Sequence, residues 1–159
     1  TQFMPSYYYL LAYALDGDGR KDIWNSIPDA LASTANQLRD KGWVAKLPWA
    51  YEVRLPPQVS CQLEGPPHAR SVREWAKLGV KRVRNEAFPQ HVLDAEAFVL
   101  TPAGANGPVF LAFENFMVTK RYNMSDSYAV FVGNLADRIA GGGDFEAPWS
   151  NVVQMSAHG

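Results

Sequence analysis

The chain has 159 residues, the length of one domain with a sizeable core; 47% of them are hydrophobic and 19% charged, the balance of a globular protein and not of a disordered chain. Its 15 basic residues nearly match its 16 acidic ones, and the formal net charge of −1 gives no basic field to attract nucleic acid or an anionic membrane. No apolar run approaches the ~20 residues that a membrane-spanning helix needs, and a single cysteine, Cys61, neither requires nor excludes an oxidising compartment.

From the N-terminus, Pro5 suits the first turn of a helix running to about residue 14. Its Tyr7-Tyr8-Tyr9-Leu10-Leu11 run is apolar on nearly every face and predicts burial. Asp16-Gly17-Asp18-Gly19-Arg20-Lys21-Asp22 follows, with carboxylates at alternate positions around glycines. Calcium takes six to eight oxygens, and an EF-hand loop supplies them from alternate residues, with glycine at its sixth position and a backbone carbonyl at its seventh. With Gly19 as that glycine, Asp16 and Asp18 fall at positions three and five, Arg20 offers its carbonyl and Asp22 sits at nine. Ala14 then leaves position one empty unless the loop realigns so that Asp16 becomes its first residue. An Asp/Gly turn with a solvated acidic rim would use the same residues for backbone reasons alone.

Ser26, with Asp29 three residues on, reads as a capping-box-like start to a second helix. Ile27, Ala30, Leu31, Ala35 and Leu38 give it an apolar stripe, and Gly42 a stop. Beyond it Tyr51, Val53 and Leu55 alternate with charged residues as in a strand, closed by Pro56-Pro57. Ser71 with Glu74 opens a short helix through Trp75 and Leu78 that ends at Gly79. Strands are expected over 97–101 and 109–113, and residues 50–119 together predict a small β-containing lobe. Ser125 caps a last helix whose packed face is Tyr128, Val132, Leu135 and Ile139, ended by three glycines from Gly141. Residues 150–159 read as a tail. His68, His91 and His158 have no zinc-ligand spacing. Lys77, Lys81, Arg82 and Arg84 suit a solvated face, with contact to acidic peptides as the second reading.

Three separated blocks acquire meaning together. Gln2-Phe3-Met4-Pro5-Ser6, the segment Ile23-Trp24-Asn25-Ser26-Ile27-Pro28-Asp29-Ala30-Leu31-Ala32-Ser33 after the acidic loop, and Arg121-Tyr122-Asn123-Met124-Ser125-Asp126-Ser127-Tyr128-Ala129 resemble, in order, the motifs of the membrane-bound lytic murein transglycosylase B family. The resemblance runs from Thr1 to about Trp149. It implies an α+β, mainly helical chain forming the C-terminal part of a lysozyme-like catalytic domain over residues 1–149, with an EF-hand-like calcium loop. It also implies peptidoglycan glycan strands as partner, the periplasm or cell envelope as location, and cleavage of the MurNAc–GlcNAc β-1,4 bond with formation of 1,6-anhydromuramoyl ends.

By the same resemblance Gln2, Tyr122, Asn123 and Tyr128 bind the glycan, and Asp29 matches the final carboxylate of the family's extended loop, completing a calcium set of Asp16, Asp18, Arg20, Asp22 and Asp29. Taken alone, Gln2 could cap a helix, Tyr122 and Asn123 could serve packing and a turn, and Tyr128 could belong to the core. The family's catalytic glutamate lies upstream of the Gln-Phe-Met-Pro block, so none of Glu52, Glu64, Glu74, Glu86, Glu96, Glu114 and Glu146 matches it. The expectation is an enzyme whose parent is active and whose 159-residue segment alone is not. A non-catalytic, calcium-stabilised peptidoglycan-binding module is the alternative.

Overall fold

The computed structural model describes residues 3–104 and 107–149; Gln2 and the expected tail lie outside them. The chain divides into two compact units, Thr1–Ala45 and Lys46–Gly159.

In the first unit, helix α1 (Pro5–Leu11) has proline in its first turn and ends three residues before the sequence predicts. The expected burial of its aromatic run is not found: Tyr9 is 78% and Leu10 76% exposed. Among the described residues the unit has one other helix, α2 (Ile27–Asp40), which is too little structure to cover an all-round apolar helix. Helix α2 begins where the sequence places it, with the Ser26 hydroxyl accepting the Asp29 N–H at 3.4 Å. The return half of a capping box is absent, because the Asp29 carboxylate is used elsewhere.

The face of α2 is also corrected. Ile27 and Leu31, which the apolar stripe would bury, are exposed, whereas Asp29, Ser33 and Gln37 are buried. The cause is the stretch after α1, which runs without a strand partner, so its peptide groups need side chains to bond to. Asn36 Nδ2 donates to the Leu11 carbonyl at 2.8 Å, the Tyr13 N–H donates to Ser33 Oγ at 2.9 Å, and the Leu15 N–H donates to Asp29 Oδ1 at 2.7 Å. Three polar residues about one turn apart on α2 thus bind successive peptides of the extended stretch.

The second unit is organised by a sheet, so the expected predominance of helix gives way to a more even α+β chain. Its strands are β1 (Ala50–Arg54), β2 (Arg70–Ser71), β3 (Lys81–Arg82), β4 (Glu96–Leu100) and β5 (Val109–Ala112), in the order β2-β4-β5-β1-β3 with all neighbours antiparallel. The two-residue strands β2 and β3 are too short to leave a periodicity in the sequence. Side chains alternate across β4 and β5. Ala97, Val99 and Leu111 face a core with Val72 and Trp75, and Phe98, Leu100, Phe110 and Ala112 face a second core with Trp49, Phe116, Ala129 and Val130.

Helix α3 (Val72–Lys77) has the full capping box that Ser71 and Glu74 predict. It buries Trp75, whose indole N–H donates to the Ala97 carbonyl at 2.8 Å. Helices α4 (Glu114–Tyr122) and α5 (Asp126–Ile139) cover the other face. Sequence reasoning does not find α4, because its N-cap is Phe113, which supplies no capping side chain. The packed face of α5 is corrected as well: Ala129, Val130 and Gly133 are buried, while Leu135 and Ile139 are exposed. Small residues fit there because Trp49 occupies the space, and a Cβ added to Gly133 would lie 2.4 Å from that indole ring.

Candidate functional site

Two clusters carry chemistry, one in each unit. In the first, Gly17 and Gly19 adopt φ values of +83° and +79°, which lets the loop turn tightly between its acidic residues. Asp16, Asp18 and Asp29 each present a carboxylate oxygen within 4.8 Å of the others. Asp29 is fully buried, and its Oδ1 accepts the Leu15 and Asp16 N–H groups while its Oδ2 accepts that of Asp22 at 3.0 Å. A carboxylate has about four lone-pair sites, so these three bonds leave one on Asp29 Oδ2. Asp18 Oδ1 accepts the Arg20 N–H at 2.7 Å. Asp16 accepts the Asp18 N–H and the Ser26 hydroxyl, and the Ser26 bond foremost holds its carboxyl below the usual range.

The carboxylate of Asp22 is not one of the three that meet. It accepts the side-chain amide and N–H of Asn25 and the N–H of Trp24, and Asn25 chiefly lowers its pKa. Asp16, Asp18 and Asp29 form a hard-oxygen donor set of the kind a hard cation such as calcium takes. The anchoring role of Asp29 is not legible in its motif. Its signal is the i, i+4, i+8 spacing of Asp29, Ser33 and Gln37, a polar line inside a helix.

In the second unit the end of α4 and the start of α5 bring together three sequence-predicted residues. The rings of Tyr122 and Tyr128 stack with centroids 6.4 Å apart and planes 12° from parallel. Asn123 is the C-cap of α4, and its Oδ1 accepts the Ser125 N–H at 3.1 Å. Lys120 and Asp126 bridge the same corner at 2.6 Å. Partial burial, and next the neighbouring Tyr122, raise the Tyr128 phenol above its ordinary pKa. Aromatic faces beside a side-chain amide suit a sugar ring that carries an acetamido group. Gln2 lies outside the described residues.

The glutamates are committed elsewhere. Glu52 accepts the N–H groups of Glu146 and Ala147, each at 2.8 Å, and Glu64 accepts the N–H and hydroxyl of Thr101. Glu86, Glu114 and Glu146 pair with Arg82, Arg121 and Arg84. Glu74 is held ionised by Ser71, with its pKa lowered, and Glu96 stands exposed on β4. Of the cations read as a solvated face, Arg82 also lies over the Tyr51 ring, 4.4 Å from its centroid. Burial raises the Asp137 carboxyl despite the Trp49 indole N–H that it accepts at 2.7 Å. Asp137 follows Tyr128 by nine residues on one helix, about 13 Å along its axis. No helix among the described residues is long and apolar enough to cross a membrane.

This arrangement has close counterparts. SltB3 from Pseudomonas aeruginosa, solved in complex with NAG-anhNAM-pentapeptide, superposes with a TM-score of 0.86 at 42% identity, over 93% of this chain and 40% of that one. The Escherichia coli lytic transglycosylase Slt35, solved in complex with calcium, superposes with a TM-score of 0.64 at 28% identity, over 87% of this chain and 42% of that one. Membrane-bound lytic murein transglycosylase B of Escherichia coli strain K12 is 28% identical over 146 residues, 87% of this chain and 37% of the relative. The chain therefore spans about two fifths of the length of these relatives, and its fold is the lysozyme-like fold of the lytic transglycosylases. The family model described as the transglycosylase SLT domain matches residues 1–137, and the chain belongs to that family.

Proposed function

We propose that the chain is part of a peptidoglycan lytic transglycosylase of the bacterial periplasm, one that cleaves the MurNAc–GlcNAc β-1,4 bond and leaves 1,6-anhydromuramoyl ends. The observation that carries this reading is the likeness, at 42% identity over 93% of the chain, to a protein solved with NAG-anhNAM-pentapeptide. Such a ligand carries the sugar end that the reaction makes.

In this reading a protonated carboxylic acid gives its proton to the departing glycosidic oxygen as the bond to the muramic anomeric carbon breaks. The muramic 6-hydroxyl oxygen then bonds to that carbon, and its proton returns to the carboxylate. The substrate's acetamido group stabilises the cationic centre between these events, in place of a second carboxylate. Tyr122 and Tyr128 offer ring faces to the sugar, and Asn123, whose Oδ1 is occupied, keeps its amide N–H groups for an acetamido carbonyl. Gln2 joins them by resemblance. The acid is none of this chain's glutamates: a general acid is kept protonated by an apolar site, and these accept N–H groups, pair with arginines or stand in water.

Calcium has a structural part. Asp16, Asp18 and Asp29 would hold it, with the Arg20 carbonyl, while Asp22 shapes the loop exit through Asn25. The donor chemistry supports this, as does the calcium complex of Slt35.

Digestion of purified murein sacculi, with mass spectrometry of the released fragments, tests the proposal. The intact parent is expected to release anhydromuropeptides and this chain alone none. Cleavage by the isolated chain would place the acid among its own carboxylates. A parent that binds sacculi without releasing anhydro products would instead be a binding module.

A further inference from the structure

We propose that Trp49 is a positioning residue, a bracket that sets α4 and α5 at the angle where Tyr122 and Tyr128 stack. Four interactions converge on it. The Trp49 carbonyl accepts the Phe113 N–H at 2.9 Å, at the N-cap of α4. Its ring lies 6.4 Å from that of Phe116, one turn into the same helix. On α5, its indole N–H donates to Asp137 Oδ2 at 2.7 Å, and its ring leaves no room for a Cβ at Gly133.

Gly133 and Asp137 are four residues apart and so lie on one face of α5. A close approach at the first and a directional bond at the second fix how far that helix can rotate about its axis. Ala129, one turn before Gly133, continues the same face in the core that contains Trp49. Tyr128 is next to it, so the rotation that seats Ala129 also aims Tyr128 at Tyr122. Asp137 is thereby assigned a purpose other than acid catalysis: it is the acceptor that holds the indole. Its raised pKa accords with a carboxylate kept partly out of water for a structural bond.

The proposal rests on the reading of Tyr122 and Tyr128 as sugar-binding residues only for its second readout. The first is the nuclear Overhauser contact between the two tyrosine rings in the 159-residue chain, and the second is its affinity for NAG-anhNAM-pentapeptide. Trp49→Phe keeps an aromatic ring and loses the donor, and Asp137→Leu loses the acceptor. Both are expected to weaken the ring contact and lower affinity severalfold, whereas Asp137→Asn, which keeps an acceptor oxygen, should restore both. Val99→Ala, in the core on the opposite face of the sheet, controls for stability and should leave both unchanged at a comparable loss of melting temperature. An undisturbed ring contact in Trp49→Phe and Asp137→Leu overturns the bracket. A wild-type chain that takes no probe, with ring contacts that still respond to Trp49→Phe, overturns the sugar-binding reading and leaves the bracket standing.

Discussion

The two units bury different chemistry. In the first, the buried residues are Ala12 and Ile23 together with Asp29, Ser33 and Gln37, while Tyr9, Leu10, Trp24, Ile27 and Leu31 stand exposed. In the second, both faces of a sheet are packed with Val, Leu, Phe and Trp. One is held by side chains that bind peptide groups, the other by apolar surface removed from water. Directional bonds put three carboxylates within reach of one cation, at the cost of a thin core. Apolar packing gives a rigid platform on which the corner between α4 and α5 is set. Each site thus takes its support from the kind of interior its unit has.

The largest expected effect lies in the apolar unit. Phe110 is fully buried between Trp49 and Phe145, and Phe110→Ala should cost about 3–5 kcal/mol through lost burial and a residual cavity. Hydrogen exchange should register the loss in residues 46–149 and leave Asp16–Asp22 protection unchanged. Loss of loop protection together with the sheet would dissolve the contrast.

Next is Asp29→Ala, which strips the acceptor from three N–H groups. A loss of about 3 kcal/mol is expected at roughly one per orphaned donor, confined to residues 3–45, with Trp75 still buried by fluorescence. Asp29→Asn, which keeps one oxygen, should lose less.

Calcium acts on the first unit alone in this reading. At about 100 times its dissociation constant, a ligand bound only by the folded state stabilises it by about 2.7 kcal/mol. Calcium should therefore raise the melting temperature of the first unit and not that of the second, and Asp18→Asn should shrink the rise. Identical melting in calcium and in chelator would leave the acidic loop a turn and nothing more.

The smallest effect is that of pH, and here the acidic loop and the Trp49–Asp137 contact are expected to diverge in sign. Asp16 and Asp22 have lowered pKa values, so their stabilisation is present above the ordinary carboxylate pKa and is lost as pH falls through the lowered folded values. Asp137 has a raised value, so its contribution is complete below the ordinary pKa and is lost as pH rises through the raised one. Acidifying the calcium-free chain should accordingly weaken the loop and the Ser71–Glu74 cap of α3, while slightly favouring the Trp49–Asp137 contact. Parallel acid titrations by NMR of the loop amides and of the α5 amides around Asp137 would detect a common direction, which would contradict the assignment.

Read from the sequence alone, the chain yields its local signals: proline at the start of α1, Ser26, Ser71 and Ser125 at helix starts, the alternating strands, and the motif blocks that carry the family. These depend on neighbours a few residues away, so the sequence contains their causes. The faces of the helices are a different matter. The apolar stripe of α2 points to water because an extended stretch, itself in need of donors and acceptors, claims the polar face. Leu135 and Ile139 of α5 lose their expected place because Trp49, far away in sequence, requires Gly133 there. Helix α4 has no capping side chain to announce it and forms on the sheet. Sequence by itself determined where the elements begin and which residue types could carry the chemistry. Only the tertiary structure decided which face each helix buries and which carboxylates meet, because burial and hydrogen-bond satisfaction are settled between segments that periodicity cannot connect.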